Sequence, residues 1–180
     1  MAGRLELIMG CMFSGKSTEM IRRLKRYKAI NKKILVINSS KDVRNPKAVL
    51  QTHDNITFDC VKTDNLLTLF CTDEIQTADI IAIDEAQFFS QLRDFVERVL
   101  EMNKHIIVAG LDGDYKQCIF GDILYLIPLA DEVDKLKAMC MKCNNGTLGP
   151  FTKRIIDNTE QELIGANEMY KSVCRLHLKN

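Results

Sequence analysis

No stretch of this 180-residue sequence stays apolar long enough to span a bilayer, because Asp or Glu interrupts every long run. Nor do the first residues show the apolar core and small-residue cleavage site of a secretory signal. Positive charge is not in excess either. The formal net charge is +1, which leaves no global basic field to draw the chain to nucleic acid. Aromatic residues make up 7% of the sequence and tryptophan is absent, a poor supply for the stacking platforms of a single-strand binder. There is no internal repeat and no low-complexity linker. The seven cysteines are odd in number, so no disulfide framework is expected, and a reducing, cytoplasmic location is.

What is present suits one compact domain with a small appendage: 46% apolar and 27% charged residues in a chain long enough for a sizeable core. Apolar runs at Leu5–Met9, Ile34–Ile37 ("KKILVINSS"), in "ADIIAIDEAQFF" and in "HIIVAGLDGD" read as buried parallel strands. "ITFDCVK", with Ile56, Phe58 and Cys60 alternating, reads as another. Between them, Met20, Ile21, Leu24 and Tyr27 mark one helix, and Leu92, Phe95, Val96, Val99 and Leu100 a second. The basic cluster Arg22, Arg23, Lys25, Arg26 and Lys28 reads as the solvated face of the first. The alternation predicts an α/β fold, a parallel sheet covered by helices on both faces, with ligands beyond the carboxyl ends of the strands. Gly10, Asp84 and Asp112 all fall at such ends. From Met139 onward the runs shorten and turn residues cluster, as in a β-rich module built onto the sheet. The expected division is 1–138 and 139–180.

Chemistry is concentrated in three places. "GCMFSGKS", from Gly10 to Ser17, matches G-x-x-x-x-G-K-[ST] between a predicted strand and helix, the pattern of a loop that holds a nucleoside triphosphate. Its backbone N–H groups attract phosphate oxygens, Lys16 adds a point charge and Ser17 offers a hydroxyl to Mg²⁺. Asp84, closing a buried strand, is the expected second magnesium ligand, through water. Glu85 beside it is the candidate general base, acting on a water in an ATPase or on an alcohol in a kinase. Cys140-x₂-Cys143 and Cys174-x₂-His177, with residues 144–173 between the pairs, suit a closed Cys₃His site for structural Zn²⁺. Such a clamp pins the ends of a loop that either covers the crevice or is a plain surface hairpin. Cys11, Cys60, Cys71 and Cys118 have no such spacing and read as small apolar residues.

These motifs, with "DEAQFF" and the "LDGD…FGDILYLIPLADEVDKL" block, resemble the small, zinc-containing type of the thymidine kinase family from Leu5 to His177. The resemblance implies a P-loop sheet and transfer of phosphate from ATP to the 5′-hydroxyl of thymidine or deoxyuridine analogues, with Glu85 as base. It implies ATP contacts from Gly10, Cys11, Met12, Phe13, Ser14, Gly15, Lys16, Ser17, Asp42, Arg44, Asp84 and Gln87. Met12, Phe88, Leu111, Tyr115 and Phe120 would wall the base, Tyr170 would reach the sugar end, and Thr152 and Gln161, Glu162, Leu163, Ile164 and Gly165 would meet the thymine edge. Homotetramers and feedback inhibition by dTTP are also implied, with no nucleic-acid or membrane partner. Cys11 replaces a frequent proline, Tyr115 a usual phenylalanine and His177 a cysteine, Cys118 lies in a usually basic stretch, and no regulatory tail is expected beyond His177. The competing reading is a zinc-bearing P-loop ATPase acting on nucleic acid. A GTP-dependent switch fits poorly, since "NKKI" at Asn31 lacks the Asp of N-K-x-D.

Overall fold

The computed structural model describes residues 2–42, 48–51, 57–163 and 168–179. In chain order its elements are β1 (Arg4–Gly10), α1 (Lys16–Lys28), β2 (Ile34–Ser39), β3 (Val49–Gln51), β4 (Thr57–Asp59), β5 (Val61–Thr63), α2 (Asp73–Thr77) and β6 (Ile80–Ile83). There follow α3 (Leu92–Glu101), β7 (His105–Gly110), β8 (Glu132–Leu136), β9 (Ala138–Met139), β10 (Leu148–Gly149), β11 (Phe151–Arg154), β12 (Tyr170–Val173) and α4 (Arg175–Leu178). Short 3₁₀ segments at Leu66–Cys71, Ala86–Phe88 and Ile123–Leu129 complete it.

Six strands form one parallel sheet in the order β5-β2-β6-β7-β1-β8. Alternate side chains serve opposite faces. Leu5, Leu7 and Met9 of β1 join Ile37, Ile81, Ile83 and Val108 beneath Leu92, Phe95, Val96 and Val99 of α3. Ile8, Val36, Ala82 and Ile107 pack on the other face with Met20, Ile21 and Leu24 of α1. Helices thus cover both faces, as the uninterrupted apolar strands require. Acidic Glu19 in its first turn and Lys25, Arg26 and Lys28 in its last complement the dipole of α1.

Three features depart from the sequence reading. "ITFDCVK" is two short strands: β4 pairs with β3 in a separate ribbon, whereas β5 joins the sheet edge; Ile56 lies outside the described residues. β8 carried no apolar signal, because an edge strand alternating Glu132, Asp134 and Leu136 with Val133 and Lys135 has no continuous hydrophobic run. Finally, Arg23 is buried rather than solvated. It falls on the same stripe as Met20 and Leu24, over β1 and β8, where its guanidinium reaches Glu6 (2.6 Å), Glu19 (2.8 Å), Glu132 (3.2 Å) and Asp134 (2.5 Å). Burial opposes ionisation of Glu6, but hydrogen bonds with His105 and from Arg23 outweigh it and bring its pKa down to about 2.

Candidate functional site

The carboxyl ends of β1, β6 and β7 lie on one edge of the sheet, and the motif residues gather there. Gly10 ends β1 at φ 151°, where a Cβ would lie 2.4 Å from the Leu136 carbonyl of β8, so only glycine lets the loop leave the sheet here. Gly15, in the left-handed region at φ 84°, caps α1. Between them the loop folds on itself: Ser14 Oγ donates to the Cys11 carbonyl at 2.8 Å, and Lys16 Nζ donates to the same oxygen at 2.8 Å. Burial lowers the Lys16 pKa, against the opposing pull of Glu85 and Asp84. Phe13 also takes a positive φ, 65°. Backbone amides at a helix N-terminus beside a half-buried lysine are suited to cradle a polyphosphate.

β7 lies between β1 and β6, so the loop strand and the Asp84 strand are two spacings apart, about 10 Å. Helix α1 closes that gap, and Ser17 Oγ donates to Asp84 Oδ2 at 2.7 Å. A hydroxyl and a buried carboxylate side by side are a hard-oxygen donor pair suited to Mg²⁺. Asp112, just past β7, pairs with Lys135 at 2.6 Å.

After Asp84 the chain turns sharply. Glu85 adopts a left-handed conformation, φ 52°, and caps the turn Ala86–Phe88. That brings back Gln87, which is buried: its Nε2 donates to Glu85 Oε2 at 2.6 Å and its Oε1 accepts from the Leu111 amide at 3.0 Å. Both glycines opposite are needed, since a Cβ on Gly110 would lie 2.8 Å from Gln87 Oε1 and one on Gly121 2.2 Å from the Gln87 carbonyl. Gln87 therefore braces the carboxylate expected to act as base.

The wall residues fall into two groups. Phe88 and Phe120 meet edge to face, centroids 5.7 Å apart. Lys41 lies 5.7 Å above the Phe88 ring and pairs with Glu162 at 2.8 Å. Tyr115 and Tyr170 flank the Arg154 guanidinium, and the Tyr170 hydroxyl donates to the Leu163 carbonyl at 2.7 Å. Gln161 Nε2 bonds Asp114 Oδ2 at 2.9 Å and the Ile119 carbonyl at 3.1 Å. Residues 158–163 thus span from β11 and β12 to the loop after β7. Asp42 is buried with its carboxylate accepting from Asn38 Nδ2 at 3.0 Å. Arg44, Ile164 and Gly165 lie outside the described residues.

The C-terminal part meets the phosphate cradle directly. Met12 N donates to Thr152 Oγ1 at 3.0 Å and the Cys11 thiol to the Gly149 carbonyl at 3.2 Å. Burial pushes the Cys11 thiol pKa up. Cys11 and Cys60 are buried, as small apolar residues would be, while Cys71 and Cys118 are exposed.

Cys140, Cys143, Cys174 and His177 bring their ligand atoms within 4.8 Å of one another. Cys143 Sγ lies 3.7 Å from Cys174 Sγ, and His177 Nδ1 lies 3.6, 3.4 and 3.5 Å from Cys140, Cys143 and Cys174. A tetrahedron with Zn–S of about 2.3 Å has S···S edges of about 3.8 Å and S···N edges slightly shorter. The spacing fits zinc. Despite burial, N–H donors from Cys143 and Cys174 and the His177 ring bring Cys140 down to about 5, while burial and its two sulfur neighbours push Cys143 up to about 11. The cluster sits at the base of the β11–β12 hairpin, whose pairs run from Phe151↔Val173 to Arg154↔Tyr170.

Sequence reasoning missed Arg154, Lys41 and Asp114. Arg154 had a signal: in β11 it alternates with Thr152 on the buried face. Lys41 and Asp114 act through loops whose partners lie about 120 and about 50 positions away, beyond any local pattern.

A family model described as "Thymidine kinase" matches residues 3–178. The thymidine kinase of Sheeppox virus (strain KS-1) is 46% identical over 173 residues, 96% of this chain and 95% of that one. That of Vaccinia virus (strain Western Reserve) is 44% identical over 173 residues, 96% of this chain and 95% of that one. Among solved structures, the flagellar accessory protein FlaH from Methanocaldococcus jannaschii aligns with a TM-score of 0.51 at 14% identity, covering 88% of this chain and 75% of that one, a likeness of fold alone.

Proposed function

Because the chain belongs to the thymidine kinase family, we propose that it transfers the γ-phosphate of ATP to the 5′-hydroxyl of thymidine, with deoxyuridine analogues as further acceptors. The family match across residues 3–178 carries this reading. It favours an alcohol acceptor over the nucleic-acid-stimulated ATPase.

In this reading the loop from Gly10 to Ser17 holds the triphosphate, with Lys16 turning from the Cys11 carbonyl to the β and γ phosphates. Ser17 and Asp84 would hold Mg²⁺, which supplies charge neutralisation on the transferred group. Glu85, braced by Gln87, takes the proton from the 5′-hydroxyl as the oxygen attacks phosphorus. Met12, Phe88, Leu111, Tyr115 and Phe120 wall the base, and Thr152, Tyr170 and residues 161–165 close over it. Asp42 and Arg44 support ATP. Residues 139–180 act as a zinc-bearing module whose hairpin tip covers the crevice of residues 1–138. The enzyme works in the cytoplasm as a homotetramer under dTTP feedback, without nucleic acid; among the described residues no helix is long and apolar enough to cross a membrane.

The test is phosphorylation of a panel of deoxynucleosides with Mg-ATP. Thymidine monophosphate should form fastest. ADP release stimulated by DNA but not by thymidine would overturn the reading.

A further inference from the structure

Arg154 is only 8% exposed, and among the described residues no carboxylate pairs with it. Its acceptors are neutral. One terminal nitrogen donates to the Asn158 carbonyl at 3.1 Å and the Glu160 carbonyl at 2.5 Å. The other reaches the Gln161 carbonyl at 3.3 Å and the Tyr170 hydroxyl at 2.6 Å, and that hydroxyl holds the Leu163 carbonyl. The guanidinium lies 3.9 Å from the Tyr115 ring centroid.

Stability is a poor explanation for this arrangement. A buried cation without a counter-charge is costly, and its Nε has no partner among the described residues. Nor can residues 158–163 hold their own shape by burial, since none of their side chains is buried. Of their outward ties, Lys41 to Glu162, Lys116 to the Thr159 carbonyl and Gln161 to the Ile119 carbonyl are exposed, and Gln161 to Asp114 and the Tyr115 hydroxyl to the Asn158 carbonyl are half-buried. The main-chain carbonyls themselves converge on one planar fork, which gathers three of them directly and a fourth through Tyr170. Lysine offers a point charge without that fork.

We propose that Arg154 is a positioning residue for the nucleoside acceptor: it sets the backbone of residues 158–163 in the shape that meets the base, leaving the phosphate cradle unaffected. The inference rests on the reading that this segment covers the nucleoside.

Arg154→Lys tests it. Loss of several hydrogen bonds to a charged group corresponds to about a tenfold to hundredfold rise in KM for thymidine. KM for ATP, and kcat at saturating thymidine, should stay within about threefold of wild type. A parallel measurement follows cleavage of the folded chain by a glutamyl endopeptidase at Glu160 and Glu162. Thymidine should slow cleavage of the wild type, and the variant should need correspondingly more thymidine for the same protection. If thymidine does not protect the wild type, the covering role itself fails. If it does, but the variant keeps its thymidine KM, only the Arg154 assignment fails. Equal rises in both KM values with a lowered kcat would show a merely structural role and also overturn it. Should Arg154→Lys not fold, Tyr170→Phe removes the hydroxyl that accepts from Arg154 and donates to the Leu163 carbonyl. It should raise thymidine KM by about threefold to thirtyfold, the worth of one or two hydrogen bonds, and no change would overturn the proposal.

Discussion

Thr152 Oγ1 accepts the Met12 amide at 3.0 Å across 140 positions of sequence. The next inward residue of the same strand, Arg154, gathers the segment 158–163. One face of β11 therefore sets the phosphate cradle and the proposed cover in register with each other. Thr152→Val keeps the shape but strands a buried-side N–H, at about 1–3 kcal/mol. The expected outcome is a KM for ATP raised several-fold, read by steady-state kinetics, with Thr152→Ser near wild type. Unchanged kinetics in the valine variant would mean that the contact positions nothing.

The Glu85 carboxylate is held by the Gln87 amide at 2.6 Å, and Gln87 by the Leu111 amide. Glu85→Gln removes the proton acceptor while preserving size. A fall in kcat of about 10²–10⁴ is expected, the usual worth of general base catalysis, with ATP affinity by calorimetry unaltered. Gln87→Leu should lower kcat less, because the base remains but loses its brace. Wild-type kcat in Glu85→Gln would remove the assigned base.

Strands buried on both faces and helices with a stripe of apolar residues write themselves into the sequence, so β1, β2, β6, β7, α1 and α3 were legible. The cradle, Asp84 and the Cys/His pairs were legible because their chemistry demands fixed spacings. β8 was not, since its charged positions face Arg23 across the sheet edge. Arg23 was misread for the complementary reason: a helix stripe shows which side chain faces inward, but not that acidic partners from β1 and β8 await it there. Gln87 was expected only as an ATP contact, through the family resemblance; its bond to Glu85 depends on the left-handed turn there, which no spacing announces.

Acid should weaken the fold through Glu6. Its pKa is depressed from 4.5 to about 2 in the folded chain, so its stabilising contribution is complete above pH 4.5 and is lost as pH falls from there through 2. Glu19, held by Arg22 and, against partial burial, by Arg23, is likewise depressed to about 2 and acts in the same window. Arg23→Met removes the buried cation beside Glu6 and leaves it with the half-exposed Arg4 at 3.0 Å and with His105, at a cost of up to about 3–5 kcal/mol near pH 7. Urea denaturation as a function of pH should show that deficit shrinking below pH 4.5, where Glu6 can protonate in the variant. A deficit independent of pH would mean that packing, not charge, is what Arg23 supplies.

The Cys/His cluster suited to zinc stands at the base of the β11–β12 hairpin, and the proposed covering segment, residues 158–163, follows its far end, three residue pairs further along. Loosening the base should therefore act on whatever the tip holds. Cys140→Ser, or removal of metal with a strong chelator, is expected to raise KM for thymidine several-fold more than KM for ATP, because Gly10 and Gly15 take their conformations from β1, β8 and α1. Metal content by atomic absorption should fall from one zinc per chain in parallel. The contact between Thr152 and Met12 lies next to the base of the same hairpin, so some rise for ATP is also expected. The two effects can be ranked by adding zinc back, which should restore thymidine KM first. Equal losses for both substrates, together with a broadened thermal transition, would instead mean that the metal holds the whole chain folded.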